Sequence, residues 1–261
     1  GATLPLIYME QNGRDLNLLH GYTKSMDAAS IRDAVYLLPQ DRTVSFRVEY
    51  PDAKVQKVYY ELRSVDTTRL IEDGELTDYS REGRMLTVDL KLKDLLDDGE
   101  EYLLVIRLGL EKDQEAYYYT HVKKLNDNHL DECLAFVDEI HSALFDKNNT
   151  VSIAQYLESD DSISNKSLAH VSIHSKYKQL IWGDMDVQEP DTADVRTYVT
   201  EIDNSVASVR LEYPVTYIND AEETETYEVT ESYRVRYTSQ RMYLLNYDRK
   251  ADRVFDPTLD I

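Results

Sequence analysis

A single cysteine, Cys133, among 261 residues rules out the internal disulfide framework of small secreted scaffolds. Eight glycines leave little material for a phosphate-cradling loop, and neither a Walker nor a Rossmann glycine pattern occurs. The Gly-x-Ser-x-Gly elbow, the His-Glu-x-x-His helix and paired Cys-x-x-Cys motifs are also missing, which removes the signatures of serine hydrolases, zincins and zinc ribbons. The longest apolar runs, such as Leu103-Leu104-Val105-Ile106, fall far short of the ~20 residues a membrane helix needs. Basic residues are scarce, 29 against 50 acidic ones, for a net charge of -21. Such a surface repels phosphate backbones and anionic lipid heads, so no nucleic-acid partner is expected. Phenylalanine (4) and tryptophan (1) are rare beside 21 tyrosines. That balance suits wet β-surfaces, where a phenol can pack one end and hydrate the other.

Alternation with a period of two dominates the first half. Leu4 to Met9 and Leu16 to Tyr22 flank Gln11-Asn12-Gly13, and Asn-Gly accepts the positive φ angles of a hairpin turn. Met26 to Val35 reads as a short helix or turn. Val44, Phe46, Val48 and Tyr50 then share one face, as do Val58, Tyr60 and Leu62, and Leu86, Val88, Leu90 and Leu92. Turns are expected at Asp73-Gly74, Glu82-Gly83 and Asp97-Asp98-Gly99. Leu104, Ile106, Leu108 and Leu110 form a strand with a partly apolar second face, which predicts a central position. Ala116 to Lys123 completes the series. Short strands with turns at these intervals predict a β-sandwich.

One helix divides the chain. Leu130, Cys133, Leu134, Val137, Ile140 and Leu144 fall on one stripe, with Asp127 or Asn128 as the expected cap. A short helix is expected from Val151 to Leu157, and short strands at Leu168 to Ile173 and Gln179 to Trp182. Long alternating strands follow, carrying Val209 to Tyr217 and Tyr227 to Tyr237. Pro214 disfavours a central place for the first of these. Met242 to Tyr247 is a last strand, with a turn at Asp248 to Asp252. The expected fold is thus mainly β with an α+β second part: a β-sandwich, then a helix packed on an antiparallel meander sheet. Two domains are expected, 1–125 and 126–261. Their net charges differ, -6 (17 basic, 23 acidic) and -15 (12 basic, 27 acidic).

Candidates for chemistry are few. His170 and His174 stand four apart, a spacing at which two imidazoles can share a face and chelate a metal, with Asp160 or Asp161 as a third ligand. Two polar residues on a wet strand outweigh that reading. The acidic runs Glu158-Ser159-Asp160-Asp161, Asp184-Met185-Asp186 and Glu222-Glu223-Thr224-Glu225 lack EF-hand spacing and read as solvated loops. Strict alternation places Glu231 on the apolar face of its strand; a β-bulge is the preferred explanation, a buried catalytic acid the sharper one. Tyr117-Tyr118-Tyr119 and Trp182 offer rings for sugar stacking, against cross-strand packing as the plainer role. Cys133 and His20 read as structural. No catalytic, cofactor-binding or metal residue is assigned, and no cofactor is expected.

The stretch Ala2-Thr3-Leu4-Pro5-Leu6-Ile7-Tyr8-Met9-Glu10, with Leu19-His20-Gly21-Tyr22 and Met26-Asp27, resembles the start of uncharacterised membrane-anchored extracytoplasmic proteins of Gram-positive bacteria. Residues 41–125 resemble a fibronectin type III or immunoglobulin-like module by pattern alone, without the Cys-Trp-Cys framework of antibody domains. The opening Gly-Ala-Thr-Leu-Pro, without Met, reads as a tag-removal scar at Gly1 followed by a stretch that lies just after a signal peptide or membrane anchor. These features imply an extracytoplasmic chain tethered to the cell membrane through an anchor outside this sequence. The expected function is a non-catalytic interaction module binding a glycan or a protein at the cell surface. Its rivals are a carbohydrate-active hydrolase with paired carboxylates and a structural spacer.

Overall fold

The computed structural model describes residues 3–28, 34–93, 96–148, 153–160, 162 and 167–255. It is mainly β, and the chain divides into two compact units: Gly1–Asn128 with Tyr198–Asn204, and His129–Thr197 with Ser205–Ile261.

The first unit is built from two five-stranded sheets. One runs in the order β2 (Arg14–Leu19), β1 (Leu6–Gln11), β4 (Thr43–Glu49), β8 (Met85–Lys91), β7 (Tyr79–Glu82). The other runs β3 (Val35–Leu37), β10 (Glu115–Lys123), β9 (Glu101–Leu110), β5 (Val55–Ser64), β6 (Leu70–Leu76). All pairings are antiparallel except β3 on β10. The period-two residues explain the layering, because each strand turns one set of side chains to the partner sheet. Ile7, Met9, Phe46, Val48, Leu86 and Val88 from one sheet meet Val58, Leu62, Leu104, Ile106 and Tyr118 from the other in one buried cluster. Each such side chain is worth roughly 1.5–3 kcal/mol of burial. The Asn12-Gly13 turn has φ values of 51 and 76, as the hairpin demands, and β9 lies centrally in its sheet.

Two local features depart from expectation. Asp73-Gly74 is no turn but lies inside β6, where Gly74 faces Tyr60; a Cβ there would stand 3.2 Å from Tyr60 Cε1. The missing side chain makes room for a ring, a role that glycine plays in strands as well as in turns. In β2, Asn17 forms a bulge between the Ile7–Leu19 and Met9–Leu16 pairs, with φ 52. Its fully buried amide donates to the Val35 carbonyl at 3.0 Å and accepts from the Val199 N–H at 2.8 Å. The latter residue belongs to β12 (Arg196–Ile202), most of which counts with this unit. The expected element at 26–35 lies largely outside the described residues.

The second unit pairs β13 (Val206–Ile218), β14 (Thr224–Tyr237) and β15 (Met242–Val254) as a long antiparallel meander, with β11 (His170–Ser172) on β15. Helix α1 (Leu130–Ala143) packs on β13 and β14 through the expected stripe, Cys133 included. His129, not Asp127 or Asn128, sits at its N-cap; its carbonyl accepts from the Cys133 N–H at 3.0 Å, and its side chain makes no capping hydrogen bond. Pro214 leaves the pairing of β13 with β14 unbroken, opposite Glu228. Gln179 to Trp182 is not a strand; α2 (Tyr177–Leu180) occupies that stretch. The short helix expected at 151–157 begins outside the described residues; within them two turn hydrogen bonds join Tyr156 to Ile153 and Leu157 to Ala154. The turn expected at Asp248 to Asp252 is absent because β15 runs straight through it, with Tyr247, Arg249 and Ala251 all buried.

Candidate functional site

A groove with a volume of about 580 Å³ lies on the outer face of the β10–β9–β5–β6 sheet. That size lies within the range typical of small-ligand sites. Strand register sets its floor. Tyr59, Arg107 and Tyr117 stand directly opposite one another across β5, β9 and β10, and Glu61, Val105 and Tyr119 form the next row. Arg63 and Leu103 stand opposite in the row after that, and Asp73 of β6 faces Glu61. One wall is the segment from Ser25 to Ala28, which folds over the sheet. The Met26 N–H donates to the Tyr119 hydroxyl at 2.8 Å, and Ala28 packs on Leu103 and Tyr119. Tyr22 pairs with Tyr117 through two backbone hydrogen bonds and so anchors the start of that wall.

The polar groups of the floor are held before any ligand arrives. The Arg107 guanidinium lies 4.0 Å from the Tyr59 ring centre and donates to Glu115 Oε1 at 2.7 Å. The other Glu115 oxygen accepts from the Tyr117 hydroxyl at 2.8 Å. That hydrogen bond lowers the Glu115 carboxyl's pKa, with Arg107 assisting, and raises the Tyr117 phenol's. Arg63 donates to Glu61 at 2.8 Å and to the Thr67 carbonyl at 3.2 Å. These ion pairs are half-exposed and add little stability. What they do is fix planar donors and rings in one arrangement.

Of the rings singled out in the sequence, Tyr117 and Tyr119 line this groove, while Tyr118 points into the sandwich core. Trp182 cannot serve as a stacking platform: it is 2% exposed, and the Arg249 guanidinium covers its ring at 3.7 Å. His170 and His174 take different partners. His170 Nε2 is 2.6 Å from Asp248 Oδ1, and His174 Nδ1 is 3.0 Å from the Glu158 carbonyl. Only His170 lies in β11; His174 follows in a turn closed between Ser172 and Ser175. Asp160 accepts from the Ser162 N–H and hydroxyl, and Asp161 lies outside the described residues. No group of three or more metal-binding side chains occurs among the described residues. Of the other acidic runs, Asp184 pairs with Lys178 on an exposed turn, whereas the run 222–225 is only partly a loop: Thr224 and Glu225 belong to β14, and Glu225, 15% exposed, pairs with Arg253 of β15.

Glu231 corrects the sequence reading. No bulge rotates it outward; the register shift in β14 lies at Arg234/Val235 instead. Glu231 is fully buried and ion-paired, its Oε1 2.6 Å from His141 Nδ1 and its Oε2 accepting from the Tyr247 hydroxyl. Burial pushes the carboxyl's pKa up, but the hydrogen bond and charge of His141, with Arg249, outweigh it and leave the value lowered. Burial likewise pushes the His141 imidazole down, and Glu231 outweighs it, leaving the value raised. Arg249, fully buried, donates to the Leu180 and Gln179 carbonyls. Closed in by Tyr213, Tyr233 and Phe145, this cluster holds the second unit together rather than meeting a ligand. The sequence signal was there in an acid on an apolar face, but its partners, His141 and Arg249, lie 90 and 18 positions away (231 - 141 and 249 - 231).

No protein-family model and no curated protein matches this chain. The groove must be read from its own residues. No helix among the described residues is long and apolar enough to cross a membrane.

Proposed function

We propose that this chain is a non-catalytic interaction module, displayed outside the cytoplasm and tethered at the cell surface, with the outer-face groove as its binding site. The observation that carries the reading is the prearranged floor of Tyr59, Arg107, Tyr117, Glu61 and Arg63, whose donors and rings are fixed by partners within the fold. Prearranged groups bind without paying for their own ordering. An immunoglobulin-like identity for the first unit is part of this proposal. In its favour, β1–β4–β8–β7 opposite β5–β9–β10 follows the A-B-E-D and C-F-G arrangement of such sandwiches. The extracytoplasmic placement draws on the resemblance carried by the Thr3-Leu4-Pro5 stretch. Protease shaving of intact cells expressing the full gene product tests it, and protection of the chain refutes it.

Binding is tested by capturing material from cell-surface extracts on the immobilised chain and on an Arg107→Ala/Tyr117→Ala variant of unchanged circular dichroism. Selective retention by the unaltered chain is expected; identical retention by both removes the groove as the binding site. A carbohydrate-active hydrolase is the second reading, favoured by Asp73 and Glu61 facing each other across β6 and β5. Directly opposed strand residues sit about 5 Å apart, the separation of paired carboxylates in retaining glycosidases. Against it, Glu61 is already engaged by Arg63. Reducing-sugar release that disappears in Asp73→Asn would replace the binding module with the hydrolase.

A further inference from the structure

Resting on the reading of the groove as a binding site, we propose that its ligand is a neutral, polyhydroxylated ring, one glycosyl residue of an uncharged oligosaccharide. Three features of the floor point to this chemistry. Tyr117, beside Arg107 in one row, and the half-buried Val105 in the next row give a small ring-and-aliphatic surface suited to the C–H face of a pyranose, while Leu103 beneath it is buried against Ala28 and Tyr119. Charge is interleaved: Glu61 and Asp73 alternate with Arg63 and Arg107, so an ion of either sign meets its own sign on a neighbouring strand. A hydroxyl donates and accepts, and satisfies carboxylate and guanidinium alike. With Asp27 on the wall, acceptors lead donors by one charge, which suits a ligand rich in O–H groups.

The third feature is Asp73 itself. It stands exposed and in register with Glu61, although like charges directly opposite on a sheet are destabilising. Nothing in the sandwich core requires an acid there, because the side chain points away from it. A pair of adjacent hydroxyls donating to the two carboxylates turns that repulsion into a recognition element.

The test is an array of neutral oligosaccharides (β-1,4-glucan, β-1,3-glucan, mannan and N-acetylglucosamine oligomers) beside glucuronate-containing and free-amine glucosamine oligomers. The whole chain is used, with titration calorimetry on the positives. Binding to one or more neutral probes and to none of the charged ones is expected. Asp73→Asn and Tyr117→Ala should each weaken it by about tenfold or more, a difference of about 1.4 kcal/mol. Asp73 is exposed, so its variant keeps the test interpretable if Tyr117→Ala fails to fold. Binding to no neutral probe, binding only to charged probes, or neutral binding that both variants leave intact overturns the proposal. If neutral probes fail while groove-dependent capture of surface material persists, the ligand class is wrong and the binding module stands. If both fail, both fall.

Discussion

Replacing Glu231 by glutamine keeps its shape, removes its charge, and leaves two buried cations, His141 and Arg249, without their counter-ion. The side chains of the pair are 0% and 8% exposed, so solvent cannot make up the loss. Breaking a buried pair from one side costs about 3–5 kcal/mol, which should lower a urea midpoint by roughly 1–3 M. The sign of the pH dependence is the sharper test. In the unaltered chain, His141 is raised above its ordinary 6.5, so its contribution is full below that pH and is lost as pH rises through the raised value. Glu231 is lowered beneath its ordinary 4.5, so its contribution is full above that pH and is lost as pH falls through the lowered value. Together they predict greatest support between these two values. In Glu231→Gln, burial governs His141, and only Glu189 and Asp138 still favour its proton. The folded state then disfavours the imidazolium, and stability should rise with pH through 6.5, the reverse of the unaltered chain. Trp182 is the one tryptophan; it is buried and stacked near Phe145 and Arg249, so its fluorescence reports this unit. Urea unfolding at pH 5, 6, 7 and 8 decides the matter. A loss under about 1 kcal/mol, the worth of an exposed pair, or parallel pH profiles would refute the buried-pair argument.

Tyr247→Phe removes a hydrogen bond to a charged acceptor and should cost about 1.5–3 kcal/mol by the same tryptophan readout. Tyr233→Phe, whose buried hydroxyl lies near Glu231 but outside normal hydrogen-bond geometry, should cost clearly less than Tyr247→Phe, about 1 kcal/mol at most; equal losses in the two variants would contradict this contrast. Asn17→Ala strands the Val35 carbonyl and the Val199 N–H and should cost about 2–4 kcal/mol, read by calorimetry of the first unit's transition. Gly74→Ala crowds the Tyr60 ring, which is held to Glu72 at 2.5 Å, and should cost about 1–3 kcal/mol; an unchanged melting temperature would show that the ring yields.

The residues that could be read one strand at a time were legible. Val44 to Tyr50, Leu86 to Leu92 and the Asn12-Gly13 turn declare themselves because alternation and positive φ are local properties. The stripe from Leu130 to Leu144 does the same for α1. Of the groove, only Tyr117 and Tyr119 were singled out in advance as candidate binding residues, because adjacent tyrosines are visible in sequence whereas Tyr59, Arg107 and Glu61 look like ordinary outward residues until the register aligns them.

Sequence alone therefore determined the mainly β character, the dividing helix, and which face of most strands is buried, since these follow from short-range patterning and the water-aversion of apolar side chains. Tertiary structure decided where charge goes inside. Arg249 looked like a turn residue because an arginine in an apolar strand is costly unless its counter-charge is supplied, and Glu231 comes from a different strand. It also decided which tyrosines face a ligand and which fill the core, because pairing register exists only between strands.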